Sequence, residues 1–188
     1  MRLSDIDFEI LENCTDPDRW GAGGDMDRLI YRNAEYYYKI WEKSYIEKTV
    51  AAVGNRFVPI RGLSLLHGFE VGLYNGDISS AFVEWIEDAD GCIRGYVTKR
   101  GVCPKHIPGD FVDKVIKSSF DCGWTYSDLK SGNIVVADGF ISLIDFDTHL
   151  VFLGQMDVEF EREKGCLRPH VNDRFRNAIL SYLEGRVS

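Results

Sequence analysis

Four side chains in the second half of the chain have the types and spacing for phosphoryl transfer. Asp128, Lys130 and Asn133 lie in the run Asp128-Leu129-Lys130-Ser131-Gly132-Asn133. Asp145 follows 17 residues after Asp128, in Leu143-Ile144-Asp145-Phe146-Asp147. Moving a phosphoryl group onto a hydroxyl needs a carboxylate to orient that hydroxyl and receive its proton, and Asp128 is the candidate. The reaction also needs hard-cation ligands. Asn133 offers a neutral oxygen, and Asp145 a carboxylate able to bridge a metal to the β- and γ-phosphates. Lys130 should reach the same site and neutralise the γ-phosphate. Asp147 is either a further metal ligand or an exposed loop acid. Each residue alone would be an ordinary loop group; their joint spacing carries the reading.

Further candidates lie upstream. Lys39 sits in the apolar run Tyr36-Tyr37-Tyr38-Lys39-Ile40. A Lys among such neighbours is costly unless it reaches an anion, such as the α- and β-phosphates of a nucleotide. Its acidic partner should follow on the next helix: Glu47 is the choice, with Glu42 and Glu35 as rivals. Gly21, Gly23 and Gly24 form a turn whose backbone could approach phosphates closely. Phe82-Val83-Glu84-Trp85-Ile86 is an apolar strand running into acidic residues and Gly91. In a two-lobed arrangement it is the hinge, with backbone groups of Glu84 and Ile86 available to an adenine ring.

The elements that must position these groups read as strands first and helices second, an α+β order. Asp7 to Leu11 reads as a strand. Leu29 to Tyr31 and Tyr36 to Ile40 read as a hairpin around Arg32-Asn33-Ala34-Glu35. Glu42 to Val53 has a helical stripe of Ile46, Val50 and Val53, stopped by Gly54. Leu63 to Leu73 and Ser80 to Ile86 read as strands separated by the turn Tyr74-Asn75-Gly76-Asp77. In the second half, Asp110 is a plausible N-cap for a helix ending at Gly123. Ile134 to Ala137 and Phe140 to Ile144 form a hairpin about Asp138-Gly139. A last helix is capped by Asn172 or Asp173, carries Phe175, Ala178, Ile179, Tyr182 and Leu183 on one stripe, and stops at Gly185.

Composition narrows the function classes. The chain has 188 residues, one domain by length, with a formal net charge of -8 and no basic block. Binding to a nucleic-acid backbone is not expected. The N-terminus opens into acidic residues, so no secretory leader is expected. No apolar run is long enough to span a membrane. The five cysteines (Cys14, Cys92, Cys103, Cys122, Cys166) are scattered and read as reduced thiols. His67, His106, His149 and His170 do not cluster with them and read as surface or satisfied histidines.

The ordered set of glycine loop, strand Lys, helix Glu, hinge, Asp-Leu-Lys-x-x-Asn loop and metal Asp resembles the protein-kinase-like superfamily. The resemblance implies a bilobal fold with a small antiparallel-sheet N-lobe and a truncated, mainly helical C-lobe. The boundaries would be about 1–84 for the N-lobe, 84–87 for the hinge and 88–188 for the C-lobe. It implies ATP and Mg²⁺ or Mn²⁺. Tyr126-Ser127 stand where protein kinases carry His-Arg, so activity should not need a phosphorylated loop. No Ala-Pro-Glu follows Asp145, and 43 residues remain after it, which implies a minimal kinase. Such a minimal kinase is similar in size to some bacterial kinases, including secreted effectors that modify host proteins, and Asp-Leu-Lys resembles protein Ser/Thr kinases. Leu-Ile-Asp-Phe-Asp resembles the bacterial lipopolysaccharide-core sugar kinases. A third alternative is an inactive kinase fold used for binding. The chain is expected in the cytoplasm, or in a host cell by a route that needs no signal peptide. No residue pattern specifies an oligomeric state.

Overall fold

The computed structural model describes residues 1–14, 28–41, 81–137, 139–144, 150–163, 167 and 170–187. They fall into two compact units, one drawn from residues 1–41 and 81–101, the other from 102–187. Together they make a mixed fold with an antiparallel sheet and few helices. The expected elements Glu42 to Val53 and Leu63 to Leu73 lie outside the described residues. No described helix is long and apolar enough to cross a membrane.

The first unit is a five-stranded antiparallel sheet. Its strands are β1 (Glu12–Asn13), β2 (Arg28–Arg32), β3 (Tyr36–Trp41), β4 (Phe82–Glu87) and β5 (Ile93–Lys99), in the order β1-β2-β3-β5-β4. The β2–β3 hairpin falls where the sequence places it. Asn33 makes its turn: Oδ1 accepts from the N–H groups of Glu35 at 2.9 Å and Tyr36 at 2.8 Å. Ile40, Ile86 and Val97 form the buried centre of one face, with Leu3, Ile6, Phe8, Leu29 and Tyr31 packed on it. The segment Asp7 to Leu11 is not a strand. Phe8–Ile10 is a 3₁₀ turn capped by Asp7, whose carboxylate accepts from Glu9 N–H. Phe8 and Ile10 alternate with acids as in a strand, but the local cap supplies the backbone partner instead.

β4 does not leave the sheet at Ile86. A turn at residues 88–92 sends the chain back as β5, which pairs with both β3 and β4. Asp88 Oδ1 accepts from Cys92 N–H at 2.9 Å and Asp90 N–H at 3.1 Å. The Cys92 N–H first, then the Asp90 N–H and Arg94, hold the Asp88 carboxyl below the usual carboxylate range. A lowered folded-state value stabilises the turn above the ordinary Asp range and loses that effect as pH falls through it. Exchange protection at Cys92 N–H is therefore expected to drop below about pH 4. Asp88→Ala should lower protection at every pH and flatten that dependence. Wild-type protection that is constant down to strong acid would contradict this account.

The outer edge of β4 is covered. The Met1 ammonium donates to Glu84 Oε2 at 2.7 Å and to the Trp85 carbonyl at 3.1 Å. Arg2 and Glu87 form a parallel bridge.

Among its described residues, the second unit carries three α-helices and four short strands. Helix α1 (Gly109–Cys122) buries Phe111, Val112, Val115 and Ser119. Its N-cap is Pro108 rather than Asp110, which lies in the first turn, where a carboxylate suits the helix dipole. Gly123 ends it with φ 74°, a left-handed cap that an L side chain resists. Next come β6 (Trp124–Tyr126), β7 (Ile134–Ala137), β8 (Phe140–Leu143) and β9 (Leu150–Phe152). β7 and β8 form the expected hairpin, with Gly139 at φ 76° in its turn. β6 pairs with β9, a pairing the sequence reading lacked.

Helix α2 (Val158–Glu163) precedes α3 (Asp173–Val187). Asn172 caps α3, its Oδ1 accepting from Phe175 N–H at 3.1 Å. Phe175, Ile179 and Leu183 form the buried stripe as expected. Gly185 does not stop the helix, which runs on to Val187. Gly185 is not among the positive-φ glycines and so does not form the left-handed cap that would end it. The Phe120 and Tyr182 rings stack at 4.4 Å, joining α1 to α3.

Candidate active site

The centre of the second unit is the loop from β6 to β7. Thr125 and Tyr126 are buried in β6, and Leu129 is buried beyond the turn. Ile134, at the start of β7, is buried as well. Tyr126, Leu129 and Ile134 are the buried hydrophobic anchors that fix the polar residues between them. The loop is also tied by hydrogen bonds. Asn133 N–H donates to the Lys130 carbonyl at 3.0 Å, closing a short 3₁₀ turn (Ser131–Asn133). Ile144 N–H donates to the Asn133 carbonyl at 3.0 Å, and the Tyr126 hydroxyl donates to the Ile144 carbonyl at 2.7 Å. Tyr126 thus ties the residue after β8 to the loop. Asn172 N–H donates to the Leu129 carbonyl at 2.8 Å, fastening the start of α3 to the same loop.

Asp128, Lys130 and Asn133 converge. The Asp128 side chain is 1% exposed. Its Oδ2 accepts from Lys130 Nζ at 2.8 Å and from Asn133 Nδ2 at 2.9 Å. Asn133 Nδ2 also donates to the Asp128 carbonyl at 3.1 Å. A buried carboxylate is tolerable only with such partners, and charge-assisted bonds of this kind are the strong ones. The Asn133 amide nitrogen faces Asp128, which leaves its Oδ1 as the atom suited to a hard cation.

The other carboxylate oxygen has a partner the sequence reading missed. His170 Nε2 lies 2.6 Å from Asp128 Oδ1 and 3.2 Å from Lys130 Nζ. His170 is half exposed and satisfied, as expected of it, and the partner that satisfies it is the central carboxylate. No sequence signal marks it, because 42 residues separate it from Asp128. It reaches the loop through the Asn172–Leu129 bond just described. A pocket of about 390 Å³ opens beside this cluster, lined by Lys105, His106, Lys130, Ser131, His170 and Asn172 among others.

The remaining predicted residues lie in the first unit or outside the described residues. Lys39 is half-buried in β3 of the first unit, with Nζ 5.4 Å from the Tyr96 ring centroid. Glu84 and Ile86 lie in β4: Glu84 pairs with the Met1 ammonium, and the Ile86 side chain is fully buried. Glu35 is in the β2–β3 turn. Gly21, Gly23, Gly24, Glu42, Glu47, Asp145 and Asp147 lie outside the described residues. Among the described residues no group of three or more His, Cys, Asp or Glu is arranged around a metal position.

No protein-family model matches this chain. No curated protein matches it either. Among solved structures it is similar to the Legionella pneumophila Lpg2603 kinase bound to IP6, with a TM-score of 0.38 and 10% identity over 89% of this chain. A second structure of the Legionella pneumophila Lpg2603 kinase gives a TM-score of 0.36 and 12% identity over 92% of this chain. The chain spans 56% and 65% of the length of those two structures.

Proposed function

We propose that the chain is a phosphotransferase that moves the γ-phosphate of ATP onto a hydroxyl, with Ser or Thr of a protein as the acceptor. The observation that carries this reading is the closed set of bonds around Asp128. A buried carboxylate, a Lys two positions on and an Asn five positions on meet at 2.8 and 2.9 Å, which supports reading these residue types and spacings as a kinase-like catalytic loop. The acceptor class rests on Lys130, the residue that gives the loop its resemblance to protein Ser/Thr kinases. Asn133 Oδ1 and the Asp145 carboxylate would hold Mg²⁺ or Mn²⁺. The cation would supply neutralising charge at the β- and γ-phosphates. Lys39, Glu47, the glycines Gly21, Gly23 and Gly24, and the backbone of Glu84 and Ile86 are assigned to the nucleotide. Ser127 in place of the kinase Arg supports activity without loop phosphorylation.

The test is incubation of the purified protein with Mg²⁺ and γ-labelled ATP, with lysate proteins or lipopolysaccharide-core sugars as acceptors. Label is expected on protein Ser or Thr, unchanged by prior phosphatase treatment of the enzyme. Label on core sugar alone would move the acceptor to the sugar-kinase class. Asp145→Ala should remove the transfer, and undiminished transfer by that variant would defeat the assignment.

A further inference from the structure

Asp128 cannot meet an acceptor from where it sits. Its side chain is 1% exposed, and both oxygens are engaged: Oδ2 by Lys130 and Asn133, Oδ1 by His170. It can take a proton only after losing one of those partners. The imidazole of His170, by contrast, is 49% exposed and lines the pocket with Lys105, His106 and Lys130.

The contact distances select the form of the ring. Lys130 Nζ, 2.8 Å from Oδ2, favours Asp128 as the carboxylate. A carboxylate oxygen 2.6 Å from Nε2 needs a proton between them, so Nε2 carries the hydrogen. The 3.2 Å contact from Nε2 to Lys130 Nζ is then a neighbour rather than a hydrogen bond. In the neutral ring the lone pair must sit on Nδ1. That nitrogen has no hydrogen-bond partner among the described residues; both polar contacts of the ring run through Nε2. A carboxylate that orients one imidazole nitrogen so that the other can accept a proton is a general device of nucleophile activation.

We infer that His170 accepts the proton of the acceptor hydroxyl, and that Asp128 orients the imidazole and stabilises it once charged. The inference rests on the phosphotransferase reading and refines it. In the step, the acceptor O–H gives its proton to Nδ1, and the oxygen electron pair forms the bond to the γ-phosphorus. The bond from that phosphorus to the β,γ-bridging oxygen breaks, and ADP leaves with its electron pair. The imidazolium, held by Asp128, passes its proton to solvent at its exposed face. Lys130, Lys105 and His106 are the other ionisable groups around the ring in the pocket, and the two lysines bring positive charge toward the phosphate.

Two measurements test this. Long-range ¹H–¹⁵N spectra of the histidine-labelled protein, assigned with His170→Gln, are expected to show the neutral His170 ring protonated on Nε2. A ring protonated on Nδ1 instead would overturn the inference without reference to activity. The second measurement is phosphate release from Mg·ATP with water as the acceptor. His170→Ala is expected to lose about 100-fold, and added imidazole should restore part of the rate. His170→Gln can still donate to Asp128 but has no basic nitrogen, so it should stay slow. Wild-type turnover by His170→Ala, or a loss that imidazole does not repair, would overturn the proton-acceptor role. If either occurs while Asp145→Ala is inactive, the phosphotransferase reading stands. An active Asp145→Ala would instead remove the reading itself.

Discussion

Asp128→Asn is expected to lower phosphate transfer from Mg·ATP by up to about 100-fold while leaving the protein folded. The substitution exchanges one oxygen for an NH₂ group of nearly the same size. Lys130 and Asn133 donate to Oδ2, so the amide oxygen will take that side. The NH₂ then faces His170 Nε2, where it is a donor in place of an acceptor. The ring can satisfy it only by moving its proton to Nδ1, which takes the lone pair away from the nitrogen that would accept the acceptor's proton. The charge that would steady an imidazolium is lost at the same time. One atom therefore removes both the tautomer and its counter-charge. Asp128→Ala is a poorer probe, because it leaves three donors without their acceptor and confounds rate with stability. Transfer by Asp128→Asn at close to the wild-type rate, with an unchanged unfolding midpoint, would show that this loop is not the reacting centre.

Gly95→Ala is expected to be the most damaging conservative substitution in the first unit. Gly95 lies in β5 opposite Ile40 of β3 and Ile86 of β4. A Cβ there would overlap the Lys39 carbonyl oxygen and lie 3.0 Å from the Ile40 Cα. Both obstacles are backbone, so no side-chain rotation relieves them. Gly95 is not among the positive-φ glycines, so the constraint is one of space rather than of dihedral angle. The strands must separate along the register that holds Lys39, Ile40 and Ile86, two of which form the buried centre of that face. The cost should be about 3 kcal/mol, the upper part of the range for overpacking. Urea unfolding checks it: the midpoint should fall with little change in slope, and an unshifted midpoint would contradict the close approach.

The sequence carried the local structure better than the long-range contacts. The Tyr36 to Ile40 strand, the Asp138-Gly139 hairpin and the α1 stripe were legible because each repeats within a few residues. β5 was not, because Ile93-Arg94-Gly95-Tyr96 mixes a charge and a glycine into a strand that is buried only where β3 and β4 flank it. Asp7 to Leu11 alternates like a strand, yet a side-chain cap with a local partner turned it into a 3₁₀ turn. At the site, Asp128, Lys130 and Asn133 were readable because their separations are fixed by one tight loop. His170 was not, because its proximity depends on where α3 begins, and that is settled by packing of Phe175 and Ile179 far along the chain.

The bond from Asn172 N–H to the Leu129 carbonyl has a consequence for heating. Helix ends fray before helices melt, and the first turn of α3 is where the chain lets go most cheaply. That turn is capped by Asn172, two places after His170. Warming should thus detach the imidazole from its carboxylate while the rest of the unit is still folded. The proposed phosphate transfer would then switch off at a temperature set by a single helix cap rather than by the core.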